Sequence, residues 1–345
     1  MNEQTWVFLR SAHAGEAERT GPPPSPDLAA NPDMWTQLFA EIVRQQPGTQ
    51  GVIARVGEPY EIKYGPGLVE RRMPDLTELT SFNPDVVINR GGYREYVPVE
   101  SEPEFQSAVH VYLGCGARYN PAAWSWMAGL KFDIILVDSP AQRDEVAARS
   151  PNANVAVFHK PAHEGIFKPV YAAPRFDICF SCHRPIEFKG CPWLASRIHD
   201  GARVLRIGPE DQWFAAERDR GRLDVTFTGL IPRQEVPVWA RQAILGAVCD
   251  DGQKDSGPRV LPEFLAMDMP VLVRDTVRTD LAAYVVPETG LIVDDAGPFA
   301  FADAFEFIRA NRGTFQPRRY YYEHFTLAQA TARIRHLIEG ARRVK

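Results

Sequence analysis

The chain has 345 residues, a length that allows two domains or one large barrel. Hydrophobic residues make up 45% and charged residues 24%, which is typical of a globular protein and excludes a wholly disordered one. The formal net charge is −5, so the chain is no general nucleic-acid coat and any polyanion site must be local.

The first half of the chain alternates short apolar runs with helical patterns, which is typical of α/β proteins with parallel sheets. Six strands are predicted there: Thr5–Leu9, Gly51–Arg55, Asp85–Asn89, Ala108–Tyr112, Asp133–Asp138 and Val155–Phe158. Apolar residues recur on one face of Asp33–Gln45 and predict an amphipathic helix. The proline-rich segment Thr20–Pro32 before this helix is interpreted as a loop.

A second series of the same kind begins after Pro174. Its six predicted strands are Asp177–Ser181, Arg203–Ile207, Val225–Thr228, Ala247–Asp250, Pro270–Arg274 and Gly290–Val293. Helices are predicted at Glu235–Leu245 and Pro298–Ala310, and a capping-box pattern at Thr326 opens a final helix. The two series predict two Rossmann-like domains with a boundary near residues 168–175, although the strand count also permits one (β/α)₈ barrel.

The chain contains no window that approaches the ~20 apolar residues of a membrane span, and it begins without a basic, apolar signal segment. Five cysteines, an odd number in a large chain, predict no disulfide framework. We therefore expect a cytoplasmic protein with no membrane span.

A cationic loop follows the predicted strand Asp177–Ser181 and contains His183, Arg184, Lys189 and Gly190. Arginine offers bidentate donors and lysine a point charge, a combination that suits a diphosphate. A solvated turn is the alternative interpretation, because most charged loops are solvated.

Two carboxylates, Asp255 and Glu263, lie eight residues apart around a loop that leads into a helix predicted from about Val260 to Met267. The start of a helix offers backbone N–H groups to an anion, and carboxylates accept hydrogen bonds from sugar hydroxyls. Solvated or capping carboxylates are the alternative interpretation of this spacing.

Three runs in this half together resemble a known family: Asp224 to Val236, Asp255 to Val273 and Glu288 to Asp295. Their order and spacing look like the nucleotide-binding domain of GT-B glycosyltransferases, most of all the retaining family 4 type with its Glu-x7-Glu signature. The pair His183-Arg184 and the pair Lys189-Gly190 are similar to that family's diphosphate loop. The resemblance covers about residues 135 to 310, and the first 130 residues match only in architecture.

The resemblance implies two Rossmann-like domains that face each other across a cleft, with the last helix packing back on the N-terminal domain. The expected boundaries are 1–168 for an acceptor domain, 169–317 for a donor domain and 318–345 for the returning segment. It implies transfer of a hexosyl or pentosyl group from a nucleotide-diphosphate sugar, as co-substrate, to a hydroxyl acceptor, with retention. No metal and no other cofactor are expected.

The resemblance also implies roles for individual residues. Arg184 and Lys189 would hold the leaving diphosphate, and Asp255 would contact the donor sugar. Donor-binding positions would be Glu263 on the ribose, Gly257, the helix start at Val260 and Leu261, and the backbone at Leu230 and Ile231 beside the base. Weaker acceptor-side candidates are four glycines near the ends of N-terminal strands: Gly15, Gly91, Gly92 and Gly114.

The sequence departs from the family at several positions: Asp255 replaces the first glutamate, Pro258 replaces a loop glycine and Asp268 replaces the glycine before Pro-Val. A nucleotide-sugar epimerase or phosphorylase therefore stays an alternative, as does a non-catalytic nucleotide-sugar-binding module. The acceptor class stays open, with a modified DNA base among the candidates. Asp250 and Asp251 form the best metal candidate, although two cations in the diphosphate loop argue against one.

Overall fold

The computed structural model describes residues 4–10, 27, 33–90, 103–114, 131–170, 172–183, 187–250, 258–275, 284–294 and 301–343. The chain divides into two compact units: Met1–Phe158 together with Leu327–Lys345, and His159–Thr326. The chain passes from the first unit to the second between Phe158 and His159, whereas the sequence analysis placed the domain boundary near residue 168. The assignment of acceptor and donor domains stays a prediction.

The first unit is built on an eight-stranded sheet in the order β3-β4-β2-β1-β5-β6-β7-β8, in which only the β3–β4 pair is antiparallel. The strands are β1 (Gln4–Arg10), β2 (Thr49–Val56), β3 (Tyr60–Lys63), β4 (Leu68–Met73), β5 (Val86–Arg90), β6 (Val109–Leu113), β7 (Ile134–Val137) and β8 (Asn154–Val157). The helices are α1 (Met34–Gln45), α2 (Pro103–Gln106) and α3 (Pro140–Arg149), with a 3₁₀ helix at Thr77–Phe82.

The helix α10 (Leu327–Arg342), from the end of the chain, also belongs to this unit. Its Ala330, Ile334 and Ile338 pack into the same core as the apolar face of α1. Helix α1 is capped by Asp33, whose carboxylate accepts a hydrogen bond from the backbone N–H of Thr36. The predicted return of the last helix to the first unit is thus confirmed.

The second unit is built on a six-stranded parallel sheet in the order β11-β10-β9-β12-β13-β14. The strands are β9 (Phe176–Ser181), β10 (Arg203–Ile207), β11 (Asp224–Phe227), β12 (Ala243–Val248), β13 (Val271–Asp275) and β14 (Gly290–Asp294). The helices are α4 (Cys191–Arg197), α5 (Gln212–Asp219), α6 (Val236–Ala240), α7 (Val260–Ala266), α8 (Phe301–Ala310) and α9 (Pro317–His324), with 3₁₀ helices at Glu187–Lys189, Arg233–Glu235 and Arg312–Thr314. Two separate sheets exclude the single barrel.

The predicted helix at Glu235–Leu245 is wrong, because α6 ends at Ala240 and Ala243–Val248 forms the central strand β12. Every residue of β12 is buried, since helices cover both faces of a parallel sheet. A short apolar run buried on all sides shows no alternation, and periodicity then does not distinguish strand from helix. The strand predicted at Ala247–Asp250 therefore starts too late.

No helix within the described ranges is long and apolar enough to cross a membrane.

Candidate functional site

A cavity of about 300 Å³ lies in the second unit, at the carboxyl ends of β9, β10 and β12. The loop after β11 and the start of α7 complete its wall. In open α/β sheets this edge is where ligands bind, because loops and helix starts converge there.

Five of the residues that the sequence placed in a donor site line this cavity: Lys189, Leu230, Ile231, Val260 and Glu263. Leu230 is 74% exposed, so an apolar side chain is available at the wall where a base was expected. The side chain of Leu261 instead lies in the core beneath α7 and is 1% exposed. The predicted residues Arg184, Asp255 and Gly257 lie outside the described residues.

Lys189 forms an ion pair with Asp250, which lies two residues after the end of β12 at Val248. The Lys189 Nζ lies 2.9 Å from the Asp250 Oδ1, and the side chains are 20% and 4% exposed. The lysine assigned to the diphosphate therefore contacts the carboxylate that was the best metal candidate. This pair fixes a cationic group at the cavity wall.

Gly190 explains why a glycine follows that lysine. Its φ is +78°, and a Cβ added to it would lie 2.0 Å from the carbonyl oxygen of Cys249. Only glycine permits this approach, which brings the loop against the end of β12 and Lys189 beside Asp250. Gly208 allows a second close approach, because its φ is +131° and an added Cβ would lie 2.1 Å from the carbonyl oxygen of Cys182.

A buried ion pair between Arg206 and Asp211 lies beneath the cavity, and the sequence reasoning missed it. The Arg206 Nε donates to Asp211 Oδ2 at 2.9 Å, and both side chains are almost completely buried. The Arg206 Nη1 also donates to the carbonyl oxygens of Cys182 (2.7 Å) and Ile207 (2.6 Å), two residues of the cavity wall. The sequence does contain a signal for this pair, because Arg206 stands in an otherwise apolar strand end and Asp211 follows it by five residues.

Glu263, the predicted ribose ligand, lies in the first turn of α7 and pairs with Arg233. The Arg233 Nη2 lies 2.5 Å from the Glu263 Oε1, and its guanidinium lies over the ring of Phe167. Arg233 itself was given no role by the sequence. The pair holds one carboxylate oxygen of Glu263, which orients the side chain at the cavity wall.

Asp268, which departs from the family's glycine, adopts a left-handed backbone conformation with φ +61°. Aspartate tolerates this conformation better than most residues do. Its carboxylate accepts a hydrogen bond from the backbone N–H of Arg318, and its carbonyl oxygen accepts one from Arg241. The turn before β13 is therefore kept without glycine.

The acceptor-side candidates belong to the first unit. Gly114 follows β6, where its N–H donates to Leu136 O and its carbonyl oxygen accepts from the Gln142 side chain. It therefore ties β6 to β7 and α3. Gly15, Gly91 and Gly92 lie outside the described residues.

Within the described part of the chain, no group of three or more histidine, cysteine, aspartate or glutamate residues could hold a metal ion. Asp251, the second member of the metal candidate, lies outside it.

Comparison with known proteins shows the fold. No family model and no curated protein matches the sequence. Among solved structures, sucrose-phosphate synthase from Thermosynechococcus elongatus is 16% identical with a TM-score of 0.74, covering 99% of this chain and 100% of that one. AviGT4, a glycosyltransferase involved in avilamycin A biosynthesis, is 14% identical with a TM-score of 0.64, covering 99% of each chain. HepE from Anabaena, solved with UDP, is 12% identical with a TM-score of 0.64, covering 98% of this chain and 100% of that one.

These similarities extend over nearly the whole chain, and each unit contains a largely parallel sheet flanked by helices. The chain therefore has the GT-B fold of these glycosyltransferase structures, as the sequence predicted.

Proposed function

We propose that this chain is a glycosyltransferase that moves a sugar from a nucleotide-diphosphate sugar to a hydroxyl acceptor. The observation that carries the proposal is the cavity of the second unit, which both Lys189 and Glu263 line. The resemblance assigns those residues to the donor diphosphate and ribose. The structures of HepE in complex with UDP and with UDP-glucose have the same fold and support this class of donor.

The reaction breaks the bond between the anomeric carbon of the sugar and the diphosphate oxygen, which leaves with the bonding electron pair. The acceptor oxygen forms the new bond to that carbon and loses its proton. Negative charge therefore develops on the diphosphate, and fixed cationic groups stabilise it in the transition state. In this proposal Lys189 and Arg184 supply that charge, and the anomeric configuration is retained, as in family 4 enzymes.

The remaining roles follow the same resemblance. Asp255 contacts hydroxyls of the donor sugar near Gly257, and Glu263 accepts a hydrogen bond from the ribose. The start of α7 at Val260 and Leu261 offers backbone N–H groups to the diphosphate. The backbone at Leu230 and Ile231 contacts the base, beside the exposed Leu230 side chain.

The test is a thermal-shift screen of UDP, GDP, ADP and their sugar conjugates, followed by turnover assays with the donor that binds. A ligand at about 100 times its Kd adds roughly 2.7 kcal/mol, which gives a clear rise in Tm. Glu263→Gln should weaken nucleotide binding, whereas Glu306→Gln, on the exposed face of α8, should not. Absence of binding to all of these nucleotides would overturn the proposal. Conversion of the donor in the absence of an acceptor would instead identify an epimerase. Binding of the donor without any conversion would identify a binding module.

We also propose that transfer needs no divalent metal. Asp250, the metal candidate that the structure describes, is paired with Lys189 at 2.9 Å. A divalent cation there would be repelled by the ammonium. Activity should survive exhaustive EDTA treatment. Activity that is lost and returns only with magnesium or manganese would contradict this proposal.

A further inference from the structure

Arg233 and Glu263 are thirty residues apart along the chain and form an ion pair at the wall of the second unit's cavity. The Arg233 Nη2 donates to the Glu263 Oε1 at 2.5 Å, and the two side chains are 21% and 14% exposed. Of the residues that the structure describes, only Arg233 donates a hydrogen bond to this carboxylate. The contact occupies Oε1 and leaves Oε2 as the better acceptor for a ligand in the cavity.

The backbone around Arg233 is held by the core of the second unit. Arg233 opens the 3₁₀ helix Arg233–Glu235. Ile231 and Val236, one on each side of this residue, pack against the apolar core that contains Phe167. The Arg233 guanidinium lies 5.1 Å from the centre of the Phe167 ring, and Phe167 is 2% exposed. The guanidinium is therefore fixed both by its own backbone and by a buried ring.

The same core also holds the helix that carries Glu263. Glu263 lies in the first turn of α7, whose Leu261, Phe264 and Leu265 are buried in the core that contains Phe167. The ion pair therefore joins two segments that are already fixed relative to each other. Such preorganisation raises affinity, because the side chain loses its freedom on folding rather than on ligand binding.

Ribose offers a carboxylate two neighbouring hydroxyl donors, at its 2′ and 3′ positions, and a deoxyribose lacks one of them. Hydrogen bonds to a charged acceptor are stronger than those between neutral groups, and they weaken steeply when their geometry is poor. A carboxylate oxygen with a fixed direction therefore distinguishes these sugars better than a freely rotating one. Given the proposed function, on which this step rests, we propose that Arg233 is a positioning residue that acts through Glu263 and sets the preference of the donor site for ribonucleotides.

A contact between Arg233 and the diphosphate is the competing role, because Arg233 lines the cavity and a guanidinium binds phosphate oxygens well. The two roles differ in the part of the ligand that they affect. A diphosphate contact contributes equally to the binding of UDP and of its deoxy analogues. Positioning of Glu263 instead changes the ribose preference, defined as the Kd of a deoxy analogue divided by the Kd of UDP. A general loss of structure cancels in this ratio.

The test is calorimetric titration of the full chain with UDP, 2′-deoxy-UDP and 3′-deoxy-UDP, or with the GDP or ADP series if the screen selects another base. The wild type should bind UDP about tenfold more tightly than at least one deoxy analogue. Arg233→Gln should reduce that preference about threefold or more, mainly by weakening the binding of UDP. Arg233→Lys keeps the charge without the planar fork and should show an intermediate preference.

Arg218→Gln is the matched control. Arg218 also pairs with a carboxylate, the Glu210 Oε1 at 2.9 Å, and its guanidinium lies 5.5 Å from the centre of the Phe227 ring, but it is not among the residues that line the cavity. This variant should keep the wild-type preference. Glu263→Gln removes the group through which Arg233 acts, so adding Arg233→Gln to it should cause no further loss of preference.

Equal binding of the three ligands by the wild type would overturn the inference and leave the proposed function standing. A loss in Arg233→Gln by the same factor for all three ligands, or an additive loss in the double variant, would also overturn it. Thermal melts without ligand check that each variant is folded, and Arg233→Lys decides the question if Arg233→Gln is not. Failure of the wild type to bind UDP, GDP and ADP would overturn the proposed function, and this inference with it.

Discussion

The carboxyl edges of the two sheets are organised in different ways. In the second unit the backbone shapes the edge, since Gly190 and Gly208 allow loops to approach strand ends more closely than any side chain would permit. In the first unit side chains shape the edge, and strand register places Arg10, Arg55 and Arg90 in a row. Both sheets have a carboxyl edge, but close glycine approaches shape it in the second unit, whereas strand register sets largely buried arginines side by side in the first.

The largest effect should come from Glu70→Gln, which breaks the side-chain network of the first edge, where Glu70 contacts Arg55 and accepts hydrogen bonds from two tyrosine hydroxyls. The change leaves Arg55 without the buried carboxylate charge, and loss of one partner of a buried ion pair costs about 3–5 kcal/mol. Urea denaturation should show this loss in the free energy of unfolding. The control is Glu61→Gln, since Glu61 pairs with Arg71 in the open; its cost should stay below about 1 kcal/mol. If both variants lose the same free energy of unfolding, the buried charge of Glu70 does not stabilise the first unit more than an exposed ion pair does.

Gly190→Ala tests whether close backbone approaches shape the carboxyl edge of the second sheet. The added methyl group meets the Cys249 carbonyl at 2.0 Å and the residue keeps a positive φ, so the loss of unfolding free energy should be about 2–4 kcal/mol. Gly201→Ala is the matched control, because Gly201 has the same φ of +78° with nothing within 4 Å of the added Cβ. It should cost only about 1–2 kcal/mol. Nucleotide affinity should fall in Gly190→Ala and stay at the wild-type value in Gly201→Ala. An unchanged affinity in Gly190→Ala would show that nucleotide binding does not depend on the close approach of Gly190 to Cys249.

Lys189→Ala tests whether the cavity stabilises a leaving group. We expect kcat/KM to fall by about 10², which corresponds to about 2.7 kcal/mol of lost transition-state stabilisation. The measurement is steady-state transfer with the donor found in the screen. Lys168→Ala, an exposed lysine of the same unit, should retain wild-type turnover. Wild-type turnover by Lys189→Ala as well would remove this residue from the mechanism.

The smallest effect concerns pH and His163, which is 6% exposed and whose Nδ1 accepts a hydrogen bond from the N–H of Gly165. Burial, and then the charge of Arg233, lowers its pKa below the unfolded value of about 6.5. Below pH 6.5 the unfolded chain therefore binds more protons than the folded chain. Stability should fall as the pH decreases from about 6.5 to the folded pKa, by at most about 1.4 kcal/mol per pH unit. His163→Gln should flatten this part of the stability profile, and an identical slope in the variant would contradict the assignment.

Much of the fold was predictable because its strands are apolar, short and separated by helical periodicity. The strand Arg203–Ile207 agrees with β10 at both ends. The amphipathic stripe predicted the last helix, and the family resemblance implied its packing in the first unit. The strands β3 and β4 were missed, since buried Glu70 and Arg72 give β4 a polar appearance. Their burial depends on partners on other strands, which local pattern does not reveal.

The sequence by itself indicated the GT-B fold class and singled out Lys189, Leu230 and Glu263, which line one cavity, because the spacing of these residues relative to strand ends is a property of the chain. Only the tertiary structure decided which charges are neighbours. It paired Lys189 with Asp250 and Glu263 with Arg233, and it placed Arg206 in the core against Asp211. The physical reason is that electrostatic energy depends on distance and burial in space, and a parallel sheet brings together residues that are far apart along the chain.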